Sequence, residues 1–248
     1  MPSAFHSHPL SRFVRKCESI APLSDAERQA ILNLPIKVSA LSARQVILCD
    51  GDTPTHCYLI VEGWACSYKM ISEGRRQIVA FHIAGDIPDL RSLHIGTMDR
   101  SLGSLTGVTV ALIPHDSLRD LIVRYPGIAA ILWRDTLVDA GIFCEWITSL
   151  GRRTSFEHIA HLFCELYLKL RAVGLANGHG CPLPVTQNDL ADALGLTSVH
   201  VNRVLQEMRS RGLISLSGRQ LVISAWDEVV RVAEFDPTYL QLEMRAVE

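Results

Sequence analysis

No stretch of this 248-residue chain approaches ~18 consecutive apolar residues, so no transmembrane helix is expected. The opening segment, Met1 to His8, lacks a basic stretch followed by an apolar core, so no secretory signal is expected and a cytoplasmic location follows. Charge of one sign is not in excess: 24 Lys and Arg stand against 26 Asp and Glu, a formal net charge of -2. That balance excludes a globally basic, histone-like binder, while a local basic surface stays open. The seven cysteines, at 17, 49, 57, 66, 144, 164 and 181, include no CxxC pair, which argues against a zinc ribbon and a dense disulfide framework. Most of them read as small buried hydrophobes. No phosphate loop, Gly-x-Ser-x-Gly elbow or zinc-helix motif occurs, so no enzyme is expected. The length suffices for two modest domains with a proper core.

What is present is concentrated between Thr186 and Ile223. Thr186 to Asp189 reads as a capping box, with Leu190, Ala191 and Leu194 following at helical spacing and Gly195 placed to end the helix. Thr197 caps a second helix whose Val201, Val204, Leu205 and Met208 form one apolar face. Gly212 closes it, and two short β-rich runs, Leu213–Ser215 and Leu221–Ile223, flank a turn at Gly218. The opposite side of the second helix carries Val199, Arg203, Gln206 and Ser210, with His200 and Asn202 on its flanks and Ser198 in its first turn. Such a polar, hydrogen-bonding and nearly acid-free face suits a DNA major groove. Arg203 is fitted to guanine, Asn202 or Gln206 to adenine, and Val199 to a thymine methyl. Arg209, Arg211 and Arg219 suit phosphates, and Thr186 and Thr197, at the helix starts, are further DNA-binding candidates. From Leu196 to Gln220 there are four arginines against one acid, Glu207. A winged module packing on protein, with a merely soluble outer face, is the other reading.

The run from Val185 to Leu205, followed by Arg211 to Ile214, resembles the C-terminal module of the Crp/Fnr family of transcription regulators. The resemblance implies that Arg203 matches the family's guanine-reading arginine. Val199 stands where the family commonly has an acidic reader, which puts the usual operator in doubt but not DNA binding. Double-stranded DNA and a second copy of the chain are the implied partners, with RNA polymerase as a further candidate. Some members carry an N-terminal cysteine cluster for an iron–sulfur centre; Cys17 stands alone here, and no cofactor is expected.

Before that module, Pro9 to Leu34 reads as one or two short helices, with Ser24 to Glu27 as a capping box. Gly51, Gly63, Gly74 and Gly85 then recur at intervals of 12, 11 and 11 between β-rich runs such as Gln45–Leu48, Cys57–Val61 and Arg76–Phe81. Strands continue through Ser104–Leu105 and Val108–Ile113, indicating a small antiparallel roll. The stretches Tyr58–Gly63, Gly74–Ile78 and Phe81–Asp86 resemble the cyclic-nucleotide-binding-like sensor domain of the same family. In nucleotide-binding relatives a Gly-Glu-Leu supplies backbone amides and a ribose-binding acid, an Arg-Ser pair neutralises phosphate, and a threonine and serine on the long helix hold adenine. This chain has Pro88, Asp89 and Leu90, then Arg100 and Ser101, then Phe143 and Cys144 at those places. Proline removes an amide donor, so cyclic AMP is not expected to bind, and Arg100 reads equally as a surface or salt-bridged arginine.

A helix begins at His115 and pauses at Tyr125-Pro126. A long one follows from Gly127 to about Leu150, where Trp133, Leu137, Ala140, Cys144 and Ile147 form a 4-3-4-3 stripe. Its other faces are largely apolar too, so it must be covered on several sides. It is either the buried centre of a monomer or, as the spacing favours and the family implies, a helix paired with its copy across a two-fold axis. Gly151 to Ser155 reads as a hinge, with Ser155 capping the next helix. There Ile159, Leu162, Phe163, Leu166 and Leu170 form the buried stripe. His158, His161 and Glu165 share the other side, as a solvated polar face or at a metal-compatible spacing that Lys169 opposes. Gly174 to Gly180 is a loop, and the tail from Trp226 to Leu242 packs back on the winged module. The expected fold is α+β: an N-terminal antiparallel β-roll with a long dimerisation helix in residues 1–150, and a winged helix-turn-helix in 151–248. The expected function is a homodimeric, sequence-specific regulator on palindromic operators, or a redox or haem-type sensor of the same fold using cysteine or histidine.

Overall fold

The computed structural model describes residues 8–242, and the opening residues 1–7 read for a leader lie outside them. Two helices come first: α1 (Ser11–Ile20), and α2 (Asp25–Leu32) capped reciprocally by Ser24 and Glu27. Seven strands follow: β1 (Lys37–Leu41), β2 (Val46–Leu48), β3 (His56–Glu62), β4 (Ala65–Met70), β5 (Arg76–His82), β6 (Ser101–Ser104) and β7 (Val108–Pro114). They form two sheets, in the orders β1-β7-β3 and β2-β6-β4-β5. Neither β1 nor β4 was expected from the sequence. The chain continues through α3 (His115–Arg124), α4 (Pro126–Arg152), α5 (Ser155–Ala172), β8 (Gly180–Pro182), α6 (Gln187–Leu194), α7 (Ser198–Ser210), β9 (Ile214–Ser217), β10 (Gln220–Ile223) and α8 (Trp226–Ala233).

Among the described residues the chain divides into two compact units, residues 8–69, 80–138 and 242 against residues 70–79 and 139–241. In the first, the two-residue period of a strand sends alternate side chains to different cores. Cys57 and Leu59 of β3, with Ala111 and Ile113 of β7, join Phe13, Ile31, Leu118 and Ile128 from the helices. Ile60 of β3, with Val108 and Val110 of β7, packs with Leu48, Ala65 and Leu102 of the other sheet and with Met98 from the segment before β6. Gly63 turns the chain between β3 and β4 at φ +89, and a Cβ there would stand 2.3 Å from the Gly107 carbonyl oxygen. Only glycine fits that turn.

In the second unit, α5 is enclosed almost all round, and this corrects the expectation of a solvated polar side. His158, His161 and Glu165 are buried beside Ile159, Phe163 and Leu170. Its cap is Thr154, one residue earlier than expected, in a capping box with Glu157. The long helix α4 runs on through Gly151 to Arg152, so the break is confined to Arg153 and Thr154. The sheet order β8-β10-β9 supplies the wing beside α6 and α7.

Candidate nucleic-acid interface

Short-range hydrogen bonds build the two-helix module. Thr186 Oγ1 accepts from the Asp189 amide, and Asp189 Oδ2 accepts from the Thr186 amide at 2.9 Å and from its hydroxyl at 2.7 Å. Asp189 is fully buried, and its other oxygen meets Arg76 Nη2 at 2.9 Å, while Arg76 Nε donates to Asp192 at 2.8 Å. Gly195 ends α6 in the left-handed region at φ +65 and donates to the Ala191 carbonyl. Thr197 Oγ1 then accepts from the His200 amide at 3.2 Å and starts α7. Val201, Val204, Leu205 and Met208 are buried, which fixes the rotation of α7 about its axis.

That rotation turns the other face out. Val199 is 78% exposed. Arg203, Gln206, Arg209 and Ser210 are exposed, and Ser198, His200 and Asn202 are half-buried on the flanks. Arg203 Nη2 lies 3.4 Å from His200 Nε2, and Gln187 Nε2 donates to Asn202 Oδ1 at 3.2 Å. The single acid of α7, Glu207, pairs with Arg211 at 2.5 Å one turn along. The face therefore presents hydrogen-bond donors and one apolar patch without uncompensated negative charge. Beyond α7, β9 and β10 pair from Ser217↔Gln220 to Ile214↔Ile223. Their two-residue turn holds Gly218 at φ +57 and Arg219 at φ +65, the primed geometry of a tight hairpin, and puts Arg219 at the exposed tip. Thr186 and Thr197 are exposed at the helix starts.

The stripe on α4 is exposed along its length: Trp133 at 69%, Leu137 at 55% and Ile147 at 69%, with Ala140 and Cys144 exposed between them. Ile128, Ile131, Leu132, Ile142 and Trp146 of the same helix are buried. The helix thus has one apolar side inside the chain and a second facing outward.

The residues expected at an effector pocket fall in both units. Asp89, Leu90, Arg100 and Ser101 belong to the first unit, Phe143 and Cys144 to the second. Asp89 is fully buried; one carboxylate oxygen accepts from the Tyr58 amide at 2.8 Å and the other is buried with no hydrogen-bond partner. Burial pushes its pKa up to about 7 despite that hydrogen bond. Arg100 Nε lies 3.5 Å from Asp99, and Ser101 Oγ accepts from the Asp50 amide at 3.1 Å.

Around α5 a polar cluster lies within the second unit. Glu165 accepts from Trp146 Nε1 at 3.2 Å and from the Tyr239 hydroxyl at 2.9 Å, and burial raises its pKa. His161 Nε2 is 3.3 Å from Glu145 Oε2 but makes no hydrogen bond there. Burial, reinforced by Arg153, holds the His161 pKa near about 3 and that of His158 near about 4, so both rings stay neutral. Among the described residues no group of three His, Cys, Asp or Glu is arranged to hold a metal ion. Five cysteines are buried, and burial pushes the thiols of Cys17 and Cys57 far up, Cys164 to about 12 and Cys181 to about 11. Cys49 and Cys144 are exposed. No helix among the described residues is long and apolar enough to cross a membrane.

The sequence signals missed Gln187 and Arg76. Gln187 was passed over as one more residue of the capping box, and Arg76 meets Asp189 across 113 positions of chain, beyond any local pattern.

Comparison with known proteins agrees with this geometry. Residues 157–231 match the Crp-like helix-turn-helix domain, and residues 38–125 match the cyclic nucleotide-binding domain. Regulatory protein HlyX of Actinobacillus pleuropneumoniae is 26% identical over 84% of this chain and 86% of its own length. Transcriptional activator protein FnrL of Cereibacter sphaeroides is 26% identical over 80% and 81%. The structure of FixK2 from Bradyrhizobium japonicum superposes with a TM-score of 0.71 at 27% identity, covering 80% of this chain and 98% of that one.

Proposed function

The chain belongs to the Crp/Fnr family of transcription regulators, and we propose that it acts as a homodimer reading palindromic DNA through paired copies of α7. The observation that carries this reading is the outer face of α7. Its capped, rotationally fixed helix presents Val199, Asn202, Arg203 and Gln206 to solvent, and its only acid is neutralised by Arg211. An arginine fork suits the N7 and O6 acceptors of guanine, and an exposed valine suits a thymine methyl. Arg219 at the wing tip and Arg209 at the end of α7 are placed for phosphates. The outward stripe of α4 supports the dimer, since a row of apolar side chains at 4-3 spacing is what a two-helix seam requires.

The first unit has the fold of a nucleotide-binding roll, but its residues argue against cyclic AMP as the input. Pro88 removes an amide donor, Asp89 points inward to the Tyr58 amide, and the Ser101 hydroxyl is engaged by Asp50. Redox sensing through the buried cysteines is disfavoured because a thiol held near pKa 11 or higher is not a nucleophile at neutral pH.

Selection from a randomised palindromic duplex library tests the reading. Wild type should enrich one half-site, and Arg203→Ala should lose about 1–3 kcal/mol of discrimination at one base pair while remaining dimeric. Enrichment of an unchanged site by the variant at the same salt would refute the assignment of α7.

A further inference from the structure

The structure brings one residue outside α7 into contact with the reading surface. Gln187 is the first residue of α6, exposed, and not part of the capping box, which Thr186 and Asp189 complete between themselves. Its side-chain amide donates to Asn202 Oδ1 at 3.2 Å. An asparagine side chain has one carbonyl oxygen and two N–H donors. With the oxygen facing Gln187, the groove side of Asn202 is left with its N–H groups.

That orientation changes what Asn202 can read. The usual pairing of asparagine with adenine is bidentate: the amide N–H donates to N7 and the oxygen accepts from the N6 amine. With its oxygen turned to Gln187, Asn202 keeps one lone pair of that oxygen free and directs its N–H groups away from Gln187, so the bidentate pairing has to compete with the Gln187 hydrogen bond. We propose that Gln187 is a specificity-determining residue, biasing Asn202 toward reading as a donor that selects a keto base, guanine or thymine, over the amino bases adenine and cytosine. The inference rests on the reading of α7 as the recognition helix and refines it. Neighbouring chemistry points the same way. His200 Nε2 is the nearest acceptor on that flank and faces Arg203 at 3.4 Å, and Glu207 is paired with Arg211. Val199 brings methyl groups and no acceptor. On the Asn202 flank the His200 ring nitrogen and the Glu207 carboxylate are thus already engaged, and acceptors for base amino groups are left to residues such as Gln206.

The side chains of Gln187 and Asn202 lie on the surface of the module, so substitution leaves the core of α6 and α7 intact. Library selection and competition binding at fixed salt would compare wild type, Asn202→Ala, Gln187→Ala, Gln187→Glu and the double alanine variant. Asn202→Ala identifies the base pair that residue reads, as the position where preference disappears. At that position wild type should favour guanine or thymine. Gln187→Ala frees the oxygen and should raise relative affinity for adenine by about 3- to 10-fold, the effect of one hydrogen bond. Gln187→Glu, an acceptor facing Asn202, should draw its N–H inward and move the preference further toward adenine and cytosine. In the Asn202→Ala background, Gln187→Ala should change no base preference.

Equal weakening on all sequences by Gln187→Ala would make it a phosphate contact and overturn the proposal. So would unchanged base preferences, an adenine preference in wild type, or an Asn202→Ala variant that loses preference nowhere. These failures leave the parent reading standing as long as Arg203→Ala loses discrimination at its own base pair. If wild type enriches no sequence at all, the regulator reading itself falls.

Discussion

Leu137→Glu separates a dimer seam from a core element, because the two roles predict opposite effects on the single chain. Leu137 is 55% exposed, between Trp133 and Ile147, each 69% exposed. A glutamate there remains in water in a monomer, so the folded chain should keep its helical content and lose little stability. In a two-fold seam the same change acts twice. Full burial of a leucine stabilises by ~1.5–3 kcal/mol, so removing the exposed part of two of them forfeits about 2 kcal/mol per dimer. Two carboxylates without partners, facing each other across the axis, add several kcal/mol. A combined loss of about 5 kcal/mol or more weakens association by roughly 10³- to 10⁴-fold, at 1.4 kcal/mol per tenfold. Sedimentation at micromolar concentration should show wild type as a dimer and the variant as a folded monomer. The variant should also bind a full palindrome no better than a single half-site, since paired recognition helices must sit about 34 Å apart to engage both halves. Acidification, which protonates the new carboxylates, should restore part of the dimer. A variant that unfolds, or one that still dimerises and prefers the palindrome, refutes the seam.

Arg219→Ala, at the wing tip, should weaken binding to every sequence about equally and lower the slope of log affinity against log salt by about one phosphate contact; a change in base preference would contradict that role. For Asp89, whose pKa is raised from 3.8 to about 7, the native state holds its proton after the unfolded chain has released it. Its contribution to stability is therefore fully present below about pH 4 and is lost as pH rises toward 7. The melting temperature of Asp89→Asn minus that of wild type should thus become more positive from pH 5 to pH 8, and a flat difference would refute the buried acid. Glu165→Ala leaves the Trp146 N–H and the Tyr239 hydroxyl without their acceptor and should cost ~1–3 kcal/mol for each buried donor in urea unfolding, with Glu165→Gln losing less.

The parts of this fold that were legible in the sequence are those written within a few residues. The capping boxes at Ser24 and Thr186, the glycine stop at Gly195 and the hairpin at Gly218 each depend on neighbours two to four positions apart, and the structure has them where the spacing put them. β1 escaped notice because its residues are exposed or half-exposed on both faces, so Lys37 to Leu41 shows no apolar alternation to read. Thr154 and Ser155 are both good caps, and the sequence offered Glu157 as the deciding partner three residues from Thr154 only. The burial of His158, His161 and Glu165 was out of reach of local pattern altogether. Glu165 is enclosed by Trp146 and by Tyr239, 19 and 74 positions away, and a polar residue on a helix reads as solvated until such a partner covers it.

The long helix α4 shows what burial adds to apolar periodicity. Its sequence is apolar on nearly every side, which suits a buried centre and a paired seam equally. In the folded chain Ile131, Leu132, Ile142 and Trp146 are within 7% of full burial, so the core requirement is met by one side alone. Trp133, Leu137 and Ile147 are then surplus to it and stand as an exposed apolar row along the helix. The proposed partner is a second copy presenting the same stripe, because a two-fold axis would set each row of side chains against itself. In the proposed dimer the same axis would duplicate α7, so that the apolar stripe of one helix would position the donor-rich face of another for both half-sites.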